Sequence, residues 1–96
     1  MILELAEVYV TDGTGAQFEE GIKTSFANYI TKSEGYIRHE IRRGLEDPNR
    51  YLLLITWTSV AAHEAFRASD FFPKHRALIS PYFAKPPFVQ HFDLVE

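Results

Sequence analysis

The sequence predicts an α+β domain with the element order βαββαβ, and three observations carry that reading. Four strand-like segments, the first rich in β-branched and aliphatic residues and the second moderately amphipathic, are interleaved with two helical regions, the first of which repeats apolar residues at spacings of three and four. The second and third strand-like segments are separated by only a short turn-rich link, Gly44 to Asn49. The length, 96 residues, fits a single domain spanning residues 1–96.

The first strand is expected over residues 2–10 and stops at Asp12-Gly13, a turn signal. Thr14 with Gln17 fits a capping box, in which side chains satisfy the first free amides of a helix. Phe18, Ile22, Phe26, Tyr29 and Ile30 then mark one helical face. Gly21 inside that helix costs about 1 kcal/mol relative to Ala and reads as a close approach to a sheet. Glu34-Gly35 ends the helical region. A second strand is expected over residues 36–43, and Asp47-Pro48-Asn49 suits a type I turn. Residues 50–58 form the strongest strand signal in the chain. Ser59 is the expected N-cap of a second helix carrying His63 and Phe66. Ser69-Asp70 restarts a helix with Pro73 in its first turn, and this helix carries His75, Leu78 and Ile79 before Pro81. Lys85-Pro86-Pro87 is a rigid connector, and residues 88–95 form the last strand. The short link makes the second and third strands an antiparallel hairpin, and the helical connections make right-handed crossovers. The result is a ferredoxin-like plait: an antiparallel four-stranded sheet with the first and third strands central and the helices on one face.

Such a plait buries one sheet face, yet its central strands are apolar on both. Tyr51, Leu53, Ile55 and Trp57 point one way, Leu52 and Leu54 the other. Ile2, Ala6, Val8 and Val10 share one face of the first strand, while Leu3, Leu5 and Tyr9 share the opposite one. Strands apolar on both sides are buried on both sides, and soluble monomers avoid wide apolar patches. A second copy of the chain, packed through the open sheet face, covers both patches with one two-fold interface. Oligomerisation also suits so small a domain, because no cysteine is present to form a disulfide or thiolate metal site. The alternative is that the strand assignment is off by one residue or that a loop covers that face.

Ten basic residues against thirteen acidic ones give a net charge of -3, which offers nothing to attract nucleic acid or an anionic membrane. No apolar run approaches the roughly 20 residues that span a bilayer. Met1-Ile2-Leu3-Glu4 has acid in its apolar run and no basic lead, unlike a signal peptide. The expectation is a soluble, cytoplasmic protein with no nucleic-acid or membrane partner.

Residues Tyr51 to Trp57, then Ala62-His63 and Phe66, then Ser69-Asp70-Phe71-Phe72, then His91-Phe92 carry a family resemblance. A strand ending in Trp, a short helix with an Ala-His pair and a Ser-x-x-Phe segment resemble the antibiotic biosynthesis monooxygenase (ABM) family. The layout resembles its wider superfamily, in which two copies form a dimeric α+β barrel. That family includes cofactor-free monooxygenases of polyketide quinols, haem-degrading enzymes and many proteins without known activity, so fold alone does not set the reaction. The resemblance implies a small-molecule pocket between helices and sheet, with Trp57 lining it.

Cofactor-free oxygenation needs a substrate that supplies electrons to dioxygen, a base, a dry pocket and donors for the developing anion. Histidine is the natural base near neutral pH. His63 is therefore the candidate catalytic residue, against the alternative of an ordinary helix-edge histidine. The pocket is expected to draw on Trp57, Tyr29, Phe66, Phe71, His75, Arg76 and His91. Tyr29 can present its hydroxyl to a ligand, and Arg76 can steady an anion. His75 otherwise reads as a surface or rim residue, His91 as a hydrogen-bonded interface residue and His39 as a surface one. Haem-degrading relatives place a ligand histidine near His75, but here the spacing is one residue shorter and Arg76 stands at that point. They also use an asparagine in the first strand, and the only asparagines here are Asn28 and Asn49. Haem is accordingly not expected, nor is any other cofactor. The histidines lack a two-His spacing on one helical turn, so no metal is expected. Glu4, Glu7 and Asp93 read as solvated strand-edge acids.

Two function classes remain: a small-molecule monooxygenase acting on an aromatic or quinol-like substrate, and a non-catalytic binding or accessory barrel. RNA-recognition domains share the strand order, but residues 50–57 lack their glycine and aromatic pattern and the charge is wrong.

Overall fold

A computed structural model of the chain covers all 96 residues. Its order is β1 (Ile2–Tyr9), α1 (Gly15–Ser25), a π-helical turn (Phe26–Ile30), β2 (Tyr36–Arg43), β3 (Arg50–Trp57), α2 (Val60–Arg67), α3 (Phe71–Ile79), a 3-10 turn (Ser80–Tyr82) and β4 (Phe88–Asp93). The sheet runs β2-β3-β1-β4, wholly antiparallel, with the first and third strands central as expected. The sequence boundaries of β1, β3 and β4 run one or two residues too long; Val10, next after β1, makes only an isolated bridge to Phe83. The body is 20 Å through its thin axis, the depth of one sheet plus one helical layer.

Strand register sorts the side chains. Glu4 faces Ile55 on β3 and His91 on β4, and Ala6 faces Leu53 and Val89. That row, with Val8, Tyr51 and Trp57, lies beneath the helices and forms the core with Phe18, Ile22, Phe26, Ile30, Phe66 and Ile79. The opposite face carries Leu3, Leu5, Leu52 and Leu54, all half-buried, together with Phe88 and Phe92. These two phenylalanines are 56% and 44% exposed within the single chain, so the two-sided apolar character read from sequence is present.

Three local expectations are corrected. Thr14 makes no side-chain cap to α1; its hydroxyl donates to the Thr11 carbonyl at 2.6 Å, and the capping box with Gln17 does not form. Gly21 does provide a close approach, but to a helix: an added Cβ would strike the Leu78 carbonyl oxygen at the end of α3. The apolar stripe of α1 continues through a π turn, which widens the helix at Phe26–Ile30 and turns Tyr29 partly outward. Ser59 does cap α2, accepting the Ala62 amide at 3.1 Å. Gly35 has φ +87°, and a Cβ there would lie 2.5 Å from that of Ala62, so the turn into β2 sits against α2.

Candidate active site

A cavity of about 370 Å³ lies between the sheet and the helices α2 and α3. Ala6, Val8, Leu53 and Ile55 form its floor, and Phe66, Phe72, Ile79 and Phe83 close over them. Its polar groups are few: Glu4, His63, His75, Arg67 and Arg76. An apolar space of this size with a few convergent polar groups is the usual form of a small-molecule site, typically roughly 300–1,000 Å³.

Glu4 is the centre of the polar group. It occupies a core-facing position of central strand β1 and is only 6% exposed. The Trp57 indole N–H donates to its Oε1 at 2.9 Å, and His63 Nε2 lies 3.2 Å from the same oxygen. His63 in turn shares a hydrogen bond of 2.7 Å between its Nδ1 and His91 Nε2. Its ring stacks on Trp57, with centroids 5.5 Å apart. Burial pushes the Glu4 carboxyl from 4.5 up to about 7, partly offset by the Trp57 hydrogen bond and the positive Arg67. Burial, helped by His91, pulls His63 down to about 4. Both members of the pair resist charge, and near neutral pH any charge they carry sits on Glu4. On α3, His75 is buried and its Nδ1 meets the Ser25 hydroxyl at 2.7 Å. Burial, with Arg76 beside it, holds His75 down to about 4, so it is a neutral imidazole. Arg76 lies over the Phe72 and Phe83 rings, at 5.9 and 5.7 Å.

Of the residues singled out from sequence, His63, Phe66, His75 and Arg76 line the cavity. His91 reaches it through His63. Trp57 is fully buried behind the wall and acts on the cavity through Glu4. Tyr29 and Phe71 pack on each other at 5.5 Å, outside the lining. His75 is no surface residue, because α3 leans on α1 at Gly21 and brings it to Ser25. His39 is not bare surface either: it stacks on Phe26 at 3.8 Å and bonds Tyr36. Glu4 is not the solvated strand-edge acid that the sequence suggests; it is buried and the most deeply placed acid of the site. The signal was its position: an acid in the row Ile2, Ala6, Val8, Val10, all core-facing. Ser25 was missed too, though it falls in the apolar stripe between Ile22 and Phe26.

Histidine spacing within one helical turn does not reveal that the fold brings ligand atoms of His63, Glu64 and His91 within 4.8 Å of one another. The two imidazole nitrogens are 2.7 Å apart. Nitrogens sharing a metal at about 2.0–2.1 Å in tetrahedral geometry stand roughly 3.3 Å apart, and Glu64 is exposed. The geometry is that of a hydrogen-bonded histidine pair.

An α+β plait with a buried acid in a mostly apolar cavity defines the class, and the comparisons give the family. The antibiotic biosynthesis monooxygenase family profile matches residues 1–78. The chain belongs to that family. It is 31% identical over 93 residues to the uncharacterised protein YczJ of Bacillus subtilis (strain 168), covering 96% of this chain and 97% of that protein. A Bordetella bronchiseptica crystal structure assigned to antibiotic biosynthesis monooxygenases superposes with a TM-score of 0.93 at 33% identity, covering 99% of this chain and 97% of that one. SnoaB, a cofactor-independent oxygenase from Streptomyces nogalater, shares the fold, with a TM-score of 0.84 at 19% identity over 99% of this chain and 94% of its own. No helix is long and apolar enough to cross a membrane.

Proposed function

We propose that the protein is a monooxygenase acting, without a cofactor, on an aromatic or quinol-like small molecule bound in the cavity, with Glu4 as the proton acceptor. One observation carries the reading: a buried carboxyl, raised to about 7, at the wall of an apolar cavity. A base is most effective when its pKa lies near the working pH. His63 has its ring nitrogens turned to Glu4 and His91 and is a positioning residue for that carboxylate.

In this reading Glu4 removes the hydroxyl proton of a phenol-type substrate. The resulting anion is rich enough in electrons to react with dioxygen. One oxygen atom bonds to a ring carbon that loses its hydrogen, and the other leaves as water, so phenol plus dioxygen gives quinone plus water. The substrate is the reductant throughout. The neutral His75 and the Arg76 cation stand in the same wall to steady negative charge.

The protein is further proposed to work as a homodimer through the sheet face of Leu3, Leu5, Leu52, Leu54, Phe88 and Phe92. The support is the exposure of the two phenylalanines beside four half-buried leucines on that face.

Oxygen uptake with a panel of phenols and quinols, in air and under nitrogen, tests the function. Turnover that needs dioxygen and falls by a hundredfold or more in Glu4→Gln is expected. Absence of turnover across the panel, with no aromatic ligand bound in the cavity, would overturn the reading. Binding without turnover would favour the accessory-protein alternative.

A further inference from the structure

Ser25 has no part in the scheme above. It is the last residue of α1, fully buried, and its hydroxyl has one hydrogen-bond partner, His75 Nδ1 at 2.7 Å. A hydroxyl can donate or accept, so this bond alone permits either neutral tautomer of His75. The surroundings of the hydroxyl decide between them. Thr31, Ser33 and Ser69 donate their hydroxyl protons to backbone carbonyls three or four residues earlier. Ser25 makes no such bond. If His75 donated from Nδ1, the Ser25 proton would be left without an acceptor in a dry interior. If Ser25 donates, only hydroxyl lone pairs go unused. An orphaned buried donor is disfavoured enough to bias the tautomers by roughly tenfold or more.

The other ring nitrogen has a different setting. His75 Nε2 bonds nothing in the protein. No buried side-chain nitrogen or oxygen lacks a partner, and His75 lines the cavity, so Nε2 opens on that space.

We propose that Ser25 is a positioning residue that locks His75 as the Nε2–H tautomer, so that the cavity holds a preset, uncharged hydrogen-bond donor for an acceptor oxygen of the ligand. Such a donor favours a carbonyl, quinone or phenolate oxygen, which can only accept, over a hydroxyl, which accepts more weakly, and offers nothing to an ammonium group. The burial that keeps this ring neutral makes it a donor that does not compete with Glu4 for a proton. Glu4 and His75 then have opposite duties: one receives a proton, the other gives only a hydrogen bond. The ligand's orientation rests on the proposed function, but the tautomer does not.

Long-range proton–nitrogen correlation spectra of the ¹⁵N-labelled protein at neutral pH test this without a substrate. His75, assigned by the loss of its signals in His75→Gln, should show a pyrrole-like Nε2 and a pyridine-like Nδ1. Ser25→Ala should move both nitrogens toward an average as the tautomer bias of about tenfold is released. A proton on Nδ1, or an imidazolium, in the wild type would overturn the proposal. So would a Ser25→Ala spectrum with the wild-type tautomer unchanged. If the alanine variant does not fold, the wild-type spectrum alone still decides the tautomer. A correct tautomer in a protein that turns over no phenol would sink the proposed function and leave this inference standing.

Discussion

Replacing Glu4 by Gln separates the carboxylate's proposed service as a base from its burden on the fold. The folded carboxyl titrates near 7 against an ordinary 4.5. The folded state therefore holds the proton more tightly than the unfolded chain. The favourable contribution is complete below about pH 4.5, declines as pH rises through about 7, and is absent above it. A shift of this size at about 1.4 kcal/mol per pKa unit amounts to about 3 kcal/mol. Glutamine keeps an oxygen for the Trp57 N–H but never ionises. Glu4→Gln should therefore match the wild type near pH 4 and exceed it by up to about 3 kcal/mol near pH 9. The assay is urea unfolding of both proteins across that range at one fixed protein concentration, since assembly would otherwise alter the midpoints. Activity should fall in the same variant that gains stability. A stability difference that stays constant with pH, or a variant weaker than wild type in base, would refute the assignment of Glu4 as a carboxyl strained by burial.

The remaining expectations concern other links of the structure. His75 is held neutral with its pKa near 4 against 6.5, so the unfolded chain takes up the proton first; stability should drop as pH falls from 6.5 to 4, and His75→Gln should flatten that part of the acid-unfolding curve. Leu54→Lys places a charge at the centre of the open sheet face; sedimentation should show half the wild-type mass with the circular dichroism kept, and an unchanged mass would count against the face as the interface. Gly21→Ala, which in an exposed helix would gain about 1 kcal/mol, should instead destabilise by about 1–3 kcal/mol, measured by urea unfolding, because the methyl would meet the Leu78 carbonyl. Ser59→Ala should cost about 1 kcal/mol through loss of the α2 cap, again read from the unfolding midpoint.

Fold and site were not equally legible in the sequence. Alternation in β3 and the three-and-four spacing in α1 are local patterns that burial imposes directly, so strand order and the two apolar sheet faces could be read from them. The capping box failed because Thr14 has a competing acceptor, the Thr11 carbonyl, that a spacing rule does not see. The site is harder because its members come from distant parts of the chain. Glu4 and His63 meet only through the pairing of β1 with β3 and the descent of α2, and Ser25 meets His75 only because Gly21 lets α3 come close. Composition gave no hint that an acid among aliphatics belongs to the cavity wall, yet register alone put Glu4 under the helices. The resemblance places Trp57 at the pocket lining; its side chain sits one layer behind that lining, with the indole N–H donated to Glu4.

Strand β4 belongs to two surfaces at once. Alternation sends Phe88 and Phe92 outward and His91 inward, toward His63. A six-residue edge strand is held by hydrogen bonds on one side only. Whatever presses on its outer phenylalanines therefore bears on the imidazole that touches His63 from behind. By thermodynamic reciprocity, a molecule that tightens the cavity and a neighbour that grips the outer rings must each alter the other's hold by the same factor.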